Sequence, residues 1–259
     1  HVFDIPTSMK YPYAEDPKDM ERQAEEEAKD RLKGLATDSG HSHEAIEYIA
    51  LEDNSVTRGI LSVIKELNPD LVIVGTKGGN KTTELLMGHT THTLIKKSTS
   101  PVLAIPEKAE VKNFENILYA TDLFEEDIKA VNIMKNYFRI ESPEITFLHI
   151  NKPKEYDGDQ KLEWFKSMLK EQVPLANPNF ELILGDQVEH SLNSFLTNHK
   201  VDLLAMLEKP DSGLKNRLFH RDLVRKMEYH TSTPLMCFNE NCLAGIEQDQ
   251  LQFSQKAPQ

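Results

Sequence analysis

Three short patterns recur in this chain in the same order, and that repetition restricts what it can fold into more than any other feature. His1-Val-Phe-Asp-Ile-Pro6 returns as His149-Ile-Asn-Lys-Pro153, and Pro69-Asp-Leu-Val-Ile-Val74 returns as Val201-Asp-Leu-Leu-Ala-Met206. Lys97-Ser-Thr-Ser-Pro101-Val-Leu returns as His230-Thr-Ser-Thr-Pro234-Leu-Met. Each holds a short apolar run beside turn-forming residues, as a buried strand does. Segments of helical period separate the runs. Strands alternating with helices, met twice, read as a tandem duplication of one α/β unit.

The second copy is the more complete. It predicts strands at 116–121, 144–150, 180–184, 202–207 and 234–238, and helices at 125–138, 161–172, 188–199 and 222–229. That alternation implies a parallel sheet covered by helices on both faces, with right-handed crossovers. The first copy repeats the plan from its second strand onward. Its strands fall at 2–5, 45–51, 71–74 and 102–105, with helices at 18–35 and 55–67. The 18–35 helix is expected to bury Met20, Ala24, Ala28, Leu32 and Leu35. The opening strand and helix of this copy have no counterpart.

Between the apolar runs at 71–74 and 102–105 lies a loop built for chemistry. Gly75, Gly78 and Gly79 open it, nine residues separate Gly78 from Gly88, and a helical pattern follows. A strand feeding a glycine loop at a helix mouth can hold phosphate, because glycine lets backbone amides approach the anion and the helix end adds positive potential. No GK[ST] occurs, which excludes a Walker loop, and the glycines are too far apart for a dinucleotide fingerprint. The plainer alternative is a turn that needs small residues only for packing.

The spacing Gly75-x-x-Gly78-x9-Gly88, with its flanks Asp70-Leu-Val-Ile-Val-Gly and Lys96-Lys97-Ser-Thr-Ser-Pro101-Val-Leu, resembles the nucleotide loop of the universal stress protein family. The resemblance implies two tandem doubly wound parallel five-stranded sheets, strand order 3-2-1-4-5, the first lacking its opening strand and helix. It divides the chain into a first domain at 1–110, a second at 111–240 and a tail at 241–259. It implies that the last strands, 102–105 and 235–238, meet antiparallel, making one chain a built-in dimer open to further self-association. It also implies a ligand, ATP or another adenine nucleotide with magnesium as an accompanying ion. Gly75, Gly78, Gly79 and Gly88 would shape the loop, while amides near Thr76, Gly88, His89 and Thr90 hold phosphates. Lys77, Lys81 and the Thr91 hydroxyl would assist. His89 departs from the family pattern, which places a hydroxyl there.

The missing strand would lie mid-sheet and leave unpaired amides and carbonyls, which is costly. About forty further N-terminal residues, one strand-plus-helix unit, or a strand from another segment, are therefore expected. The second copy's loop keeps only Gly213, gains Pro210, and puts His220 or Arg221 where the third glycine belongs. It is expected to bind no nucleotide in the family's way. Arg217, His220, Arg221 and Arg225 read as a solvated helix face or a basic patch. Asp122, where the family contacts adenine, is expected here to be a helix N-cap or a turn acid.

Charge and composition remove other classes. A net charge of −12 argues against nucleic-acid or anionic-membrane binding. No apolar run is long enough to span a bilayer. Two cysteines, Cys237 and Cys242, cannot make a disulfide framework, and a cytoplasmic setting is expected. His89 with His92, and His41 with His43, are weak metal candidates without cysteines or an HExxH pattern. His149 and His1 stand at equivalent positions and read as buried structural histidines. There is no Gly-x-Ser-x-Gly elbow. The expected function is an adenine-nucleotide-binding stress-response protein rather than an enzyme. The alternatives are a scaffold that binds no nucleotide and a slow ATP hydrolase with His89 as its base.

Overall fold

The structure is a computed structural model that describes residues 1–4, 17–38, 46–76, 88–110, 113–138, 143–153, 157–209 and 232–245. The chain divides into two compact units, His1–Leu67 and Asn68–Gln259.

In the first unit, β1 (Val2–Phe3) and β2 (Leu51–Glu52) pair in parallel, with Val2 opposite Leu51. Two helices accompany them, α1 (Pro17–Asp38) and α2 (Val56–Leu67). Charge pairs one turn apart line α1, among them Lys29–Glu25 at 2.5 Å and Arg22–Asp19 at 3.1 Å. Its apolar stripe drifts from the expected one: Leu35 is 69% exposed, and Ala36 is buried instead. Seven residues are nearly two full turns, so Leu35 stays within about 20° of the Ala28 face and helical period alone does not account for the exchange. The amino end of α2 is held by Asp53, whose carboxylate accepts the Ser55 amide at 2.7 Å and the Arg58 guanidinium at 2.6 Å. His1 is exposed, contrary to expectation, and its ammonium donates to the Ile49 carbonyl at 2.7 Å.

Gly59 lets α2 lie against β1. A methyl added there would meet the two Val2 Cγ atoms at 2.9 and 3.0 Å and Asp53 Cβ at 3.3 Å. Alanine favours a helix over glycine by about 1 kcal/mol, but overpacking costs roughly 1–3 kcal/mol. Gly59→Ala is therefore expected to lower stability, read as a reduced midpoint in urea. A raised midpoint would mean that β1 simply yields.

The second unit is one seven-stranded sheet. Its strands are β3 (Val72–Gly75), β4 (Val102–Ile105), β5 (Asn116–Ala120), β6 (Glu144–Asn151), β7 (Pro178–Leu184), β8 (Leu203–Glu208) and β9 (Leu235–Asn239). Its helices are α3 (His89–Lys97), α4 (Glu125–Tyr137), α5 (Gly158–Gln172) and α6 (Val188–Asn198). The strand order is β3-β4-β9-β8-β5-β6-β7. Read by copy, the order β7-β6-β5-β8-β9 is the expected 3-2-1-4-5, complete in the second half.

The last strands of the two copies meet antiparallel as expected: β4 pairs with β9, Leu103 opposite Met236, and fuses the last two strands of the first copy to the second. All other pairings are parallel. In the second copy the opening strand is β5, which joins β6 to β8. Among the described residues β1 and β2 form a two-stranded sheet. The repeated Asp-Leu dipeptide has a clear use here. Asp202 accepts the Asn116 amide and side chain, each at 2.8 Å, and so pins the start of β5.

The core of this unit lies between the sheet and α4–α5. Phe147 is fully buried and packs with Tyr119, Phe165 and Phe180, ring centroids 5.2–5.7 Å apart. At the β4–β9 seam, the turn before β4 is closed by Ser98, whose hydroxyl donates to the Ser100 carbonyl at 2.7 Å and accepts the Ser100 amide at 3.0 Å. Residues 240–245 continue past β9 as a helical turn with Cys242 and Leu243 buried, so the tail expected from Asn241 is anchored at its start. Burial holds the Cys242 thiol at a pKa of about 12, which leaves it inert.

Candidate functional site

The turn from β3 to α3 brings together the residues the sequence singles out and that the structure describes. The Gly88 amide donates to the Thr76 carbonyl at 3.0 Å, and the Thr91 hydroxyl donates to the Gly75 carbonyl at 3.2 Å. The Thr76 amide is bonded to the Ile105 carbonyl at 3.0 Å. These three bonds clasp the strand tip to the first turn of α3. Gly88 is the N-cap and offers no side-chain cap. The first helical bond of α3 runs from the His92 amide to the Gly88 carbonyl, so the amides of His89, Thr90 and Thr91 precede it. Lys96 and Lys97 occupy the last turn, where positive charge suits the helix dipole.

Two expected phosphate donors, the amides of Thr76 and Gly88, are thus committed to the main chain. Thr91 is 5% exposed and works first as a clasp. His89 is exposed on the outer side of the turn. Lys77, Gly78, Gly79 and Lys81 lie outside the described residues, as do His41 and His43. Among the described residues no three His, Cys, Asp or Glu side chains gather into a metal-holding group.

Gly75 and Gly88, like Gly34, differ from the tightly packed Gly59, Gly158 and Gly185. Neither has the left-handed backbone that demands glycine; Gly88 sits at φ −58° and ψ 147°, open to any residue. Among the described residues a methyl on Gly75 would meet nothing within 4 Å, and one on Gly88 only the Thr76 carbonyl at 3.9 Å. By contrast, a methyl on Gly158 would sit 2.8 Å from Asn151 and one on Gly185 2.2 Å from Ser191 Oγ. The latter two are explained by packing; the first two are not.

The equivalent turn of the second copy is built differently. By the repeat, Leu207 and Glu208 stand where Gly75 and Thr76 do, and β8 stays paired with β9 through Glu208. Lys209 then folds inward with its side chain 6% exposed. Its ammonium lies 4.3 Å from the Phe124 ring and 2.9 Å from Glu126. Beneath it Asp127, 2% exposed, accepts the Tyr119 hydroxyl at 3.2 Å and the Thr121 hydroxyl and Phe124 amide at 3.1 Å. Burial raises the Asp127 pKa against the opposing pull of Lys209 and these donors. The β5–α4 turn also holds Leu123 at φ 61° while burying it.

Asp122 is buried beside this network in the β5–α4 turn, and of its two expected roles the N-cap of α4 falls to Phe124 instead. His149 is buried as expected, and its Nδ1, 2.8 Å from the Thr121 carbonyl, carries the proton. Pro210, Gly213, Arg217, His220, Arg221 and Arg225 lie outside the described residues. Sequence reasoning missed Asp127 and Lys209. The one available signal was an acid three residues after Phe124, at the helix position whose side chain reaches back to the N-cap amide.

Residues 1–106 match the model of the universal stress protein family. A universal stress protein from Archaeoglobus fulgidus DSM 4304 has a similar structure, with a TM-score of 0.67 at 15% identity, over 92% of this chain and 85% of that one. A functionally unknown protein from Pseudomonas aeruginosa PAO1 is similar at a TM-score of 0.57 and 11% identity, over 86% of this chain and 82% of that one. At such identities the likeness is one of fold. No curated protein matches the sequence.

Proposed function

We propose that the first half binds ATP or a related adenine nucleotide at the β3–α3 turn, and that occupancy of this site is read by a stress-response pathway. The observation that carries the reading is that Gly75 and Gly88 are glycines where neither backbone angles nor packing require one. Open space beside the first turn of a helix suits an anion. The family match over this half supports the same reading. The phosphates would rest on the amides of His89 and Thr90, with Lys77 and Lys81 and a magnesium ion offsetting charge. Gly78 and Gly79 would complete the loop, and Thr91 would hold it in place.

In this reading the repeat units run 1–110 and 111–240, followed by a tail at 241–259, and the second unit serves as the partner in a built-in dimer. Further self-association is compatible with it. Two buried free cysteines suit the reducing cytoplasm. No helix among the described residues is long and apolar enough to cross a membrane. Catalysis is not part of the proposal: His89 is exposed, with no described group aligning it on a water.

Isothermal titration of the full chain with ATP and magnesium tests this, beside Gly88→Val. The substituted backbone is allowed at this position, so the fold should persist while valine fills the phosphate space. Charge-assisted bonds of roughly 1.5–3 kcal/mol each would be lost, so affinity should fall about tenfold or more. Equal binding by both chains would end the proposal. The engagement of the Thr76 and Gly88 amides favours a second reading, a scaffold without nucleotide. Absence of any thermal shift with saturating ATP would select it.

A further inference from the structure

We propose that a groove at the amino-terminal ends of β6 and β7 binds a small amphipathic monoanion, a short-chain carboxylate, with its apolar body against Phe138 and Ile145 and its charge on Lys135. The site lies across the sheet from the strand tips, so it stands independently of the nucleotide reading.

The groove encloses about 260 Å³. The last turn of α4 contributes Lys135 and Phe138, and the entry to β6 contributes Pro143 and Ile145. The connection from α5 into β7 supplies the far wall, from Pro174 to Pro178. Phe138 is fixed edge-on against Phe114, centroids 5.7 Å apart, and Ile145 is only 6% exposed. Three prolines with fixed φ stiffen the rim, so the concavity exists before any ligand arrives. A preformed apolar cleft with one convergent polar group is the usual form of a small-molecule site.

Charge decides the class of ligand. Among the described residues no aspartate or glutamate lines the groove. Lys135 is half-buried and lines the groove. Its place in the last turn of α4 suits the helix dipole, yet that role leaves the ammonium itself available. A single lysine beside an apolar wall complements a single negative charge. Polyanions are disfavoured by the net charge of −12. The volume is below the roughly 300–1,000 Å³ of drug-sized sites, which restricts the apolar body to a short chain.

The test is titration of the full chain with sodium octanoate and, separately, 1-octanol, followed by amide NMR shifts and calorimetry. Octanoate should bind saturably, with shifts centred on Phe138, Ile145 and Leu175. Lys135→Met should weaken octanoate about fivefold or more and leave octanol unchanged. Ala176→Trp, on the exposed rim, should remove both by filling the groove. Three results would each overturn the proposal: no saturable octanoate binding, binding indifferent to both substitutions, or octanol binding as tightly as octanoate.

Discussion

An Asp127→Ala chain should unfold about 3–5 kcal/mol more readily than the parent, the scale seen when one member of a buried polar network is removed. The loss has several parts. The Tyr119 and Thr121 hydroxyls and the Phe124 amide all donate to this carboxylate, and alanine leaves them in a dry site. Lys209, nearly buried above, loses its deeper counter-charge and keeps Glu126. Against a typical stability of 5–15 kcal/mol, such a change is large. Urea unfolding of the full chain measures it. A shift below about 1 kcal/mol would show that water replaces the carboxylate.

The same residue sets a pH dependence. Burial raises its folded pKa above the ordinary 3.8, so the folded chain holds its proton over a range in which the unfolded chain has released it. Stability from this group is therefore full below pH 3.8 and is lost as pH rises towards the folded pKa. Asp127→Asn removes the titration, so the stability gap between parent and variant should tilt against the parent as pH climbs through that window. A gap independent of pH would mean that Lys209 and the donors balance burial.

Asn239→Leu is the second large effect, expected near 3 kcal/mol. Asn239 is 3% exposed at the end of β9, and its amide nitrogen donates to the carbonyls of Ile95 and Ser98 at 2.7 and 3.0 Å. Its oxygen accepts the Cys242 amide at 2.9 Å. One side chain thus ties the carboxyl end of α3 to β9 and to the turn that follows. Leucine has nearly the same size but leaves three main-chain groups without a partner. Differential scanning calorimetry should show a lower Tm with the fold retained. An unchanged Tm would show that the β4–β9 ladder alone holds this seam.

Much of this architecture was legible in the residues. Apolar runs such as Val201-Asp-Leu-Leu-Ala-Met206 declare buried strands because parallel strands covered on both faces need no polar side. The recurring Ser-Thr-Pro turn marks the entry to the last strand of each copy, and Ser98 shows why: its hydroxyl closes that turn. The antiparallel meeting of β4 and β9 followed from the resemblance rather than from any pattern in the residues themselves. Local signals erred where position on a helix decides burial, as with Leu35 and Ala36.

The candidate site divides along the same line. Gly75 and Gly88 are visible in sequence, but only coordinates show that neither backbone angle nor packing calls for glycine there. Asp127 and Lys209 are far apart in the chain and look like two more surface charges. They become a buried network because β5 and β8 are sheet neighbours, a pairing fixed by the core as a whole. Composition and periodicity thus set which segments become strands and helices, since those preferences are local. Which strand tips face one another, which amides are already engaged, and which glycines keep open space were decided by packing alone, because each depends on residues distant in the chain.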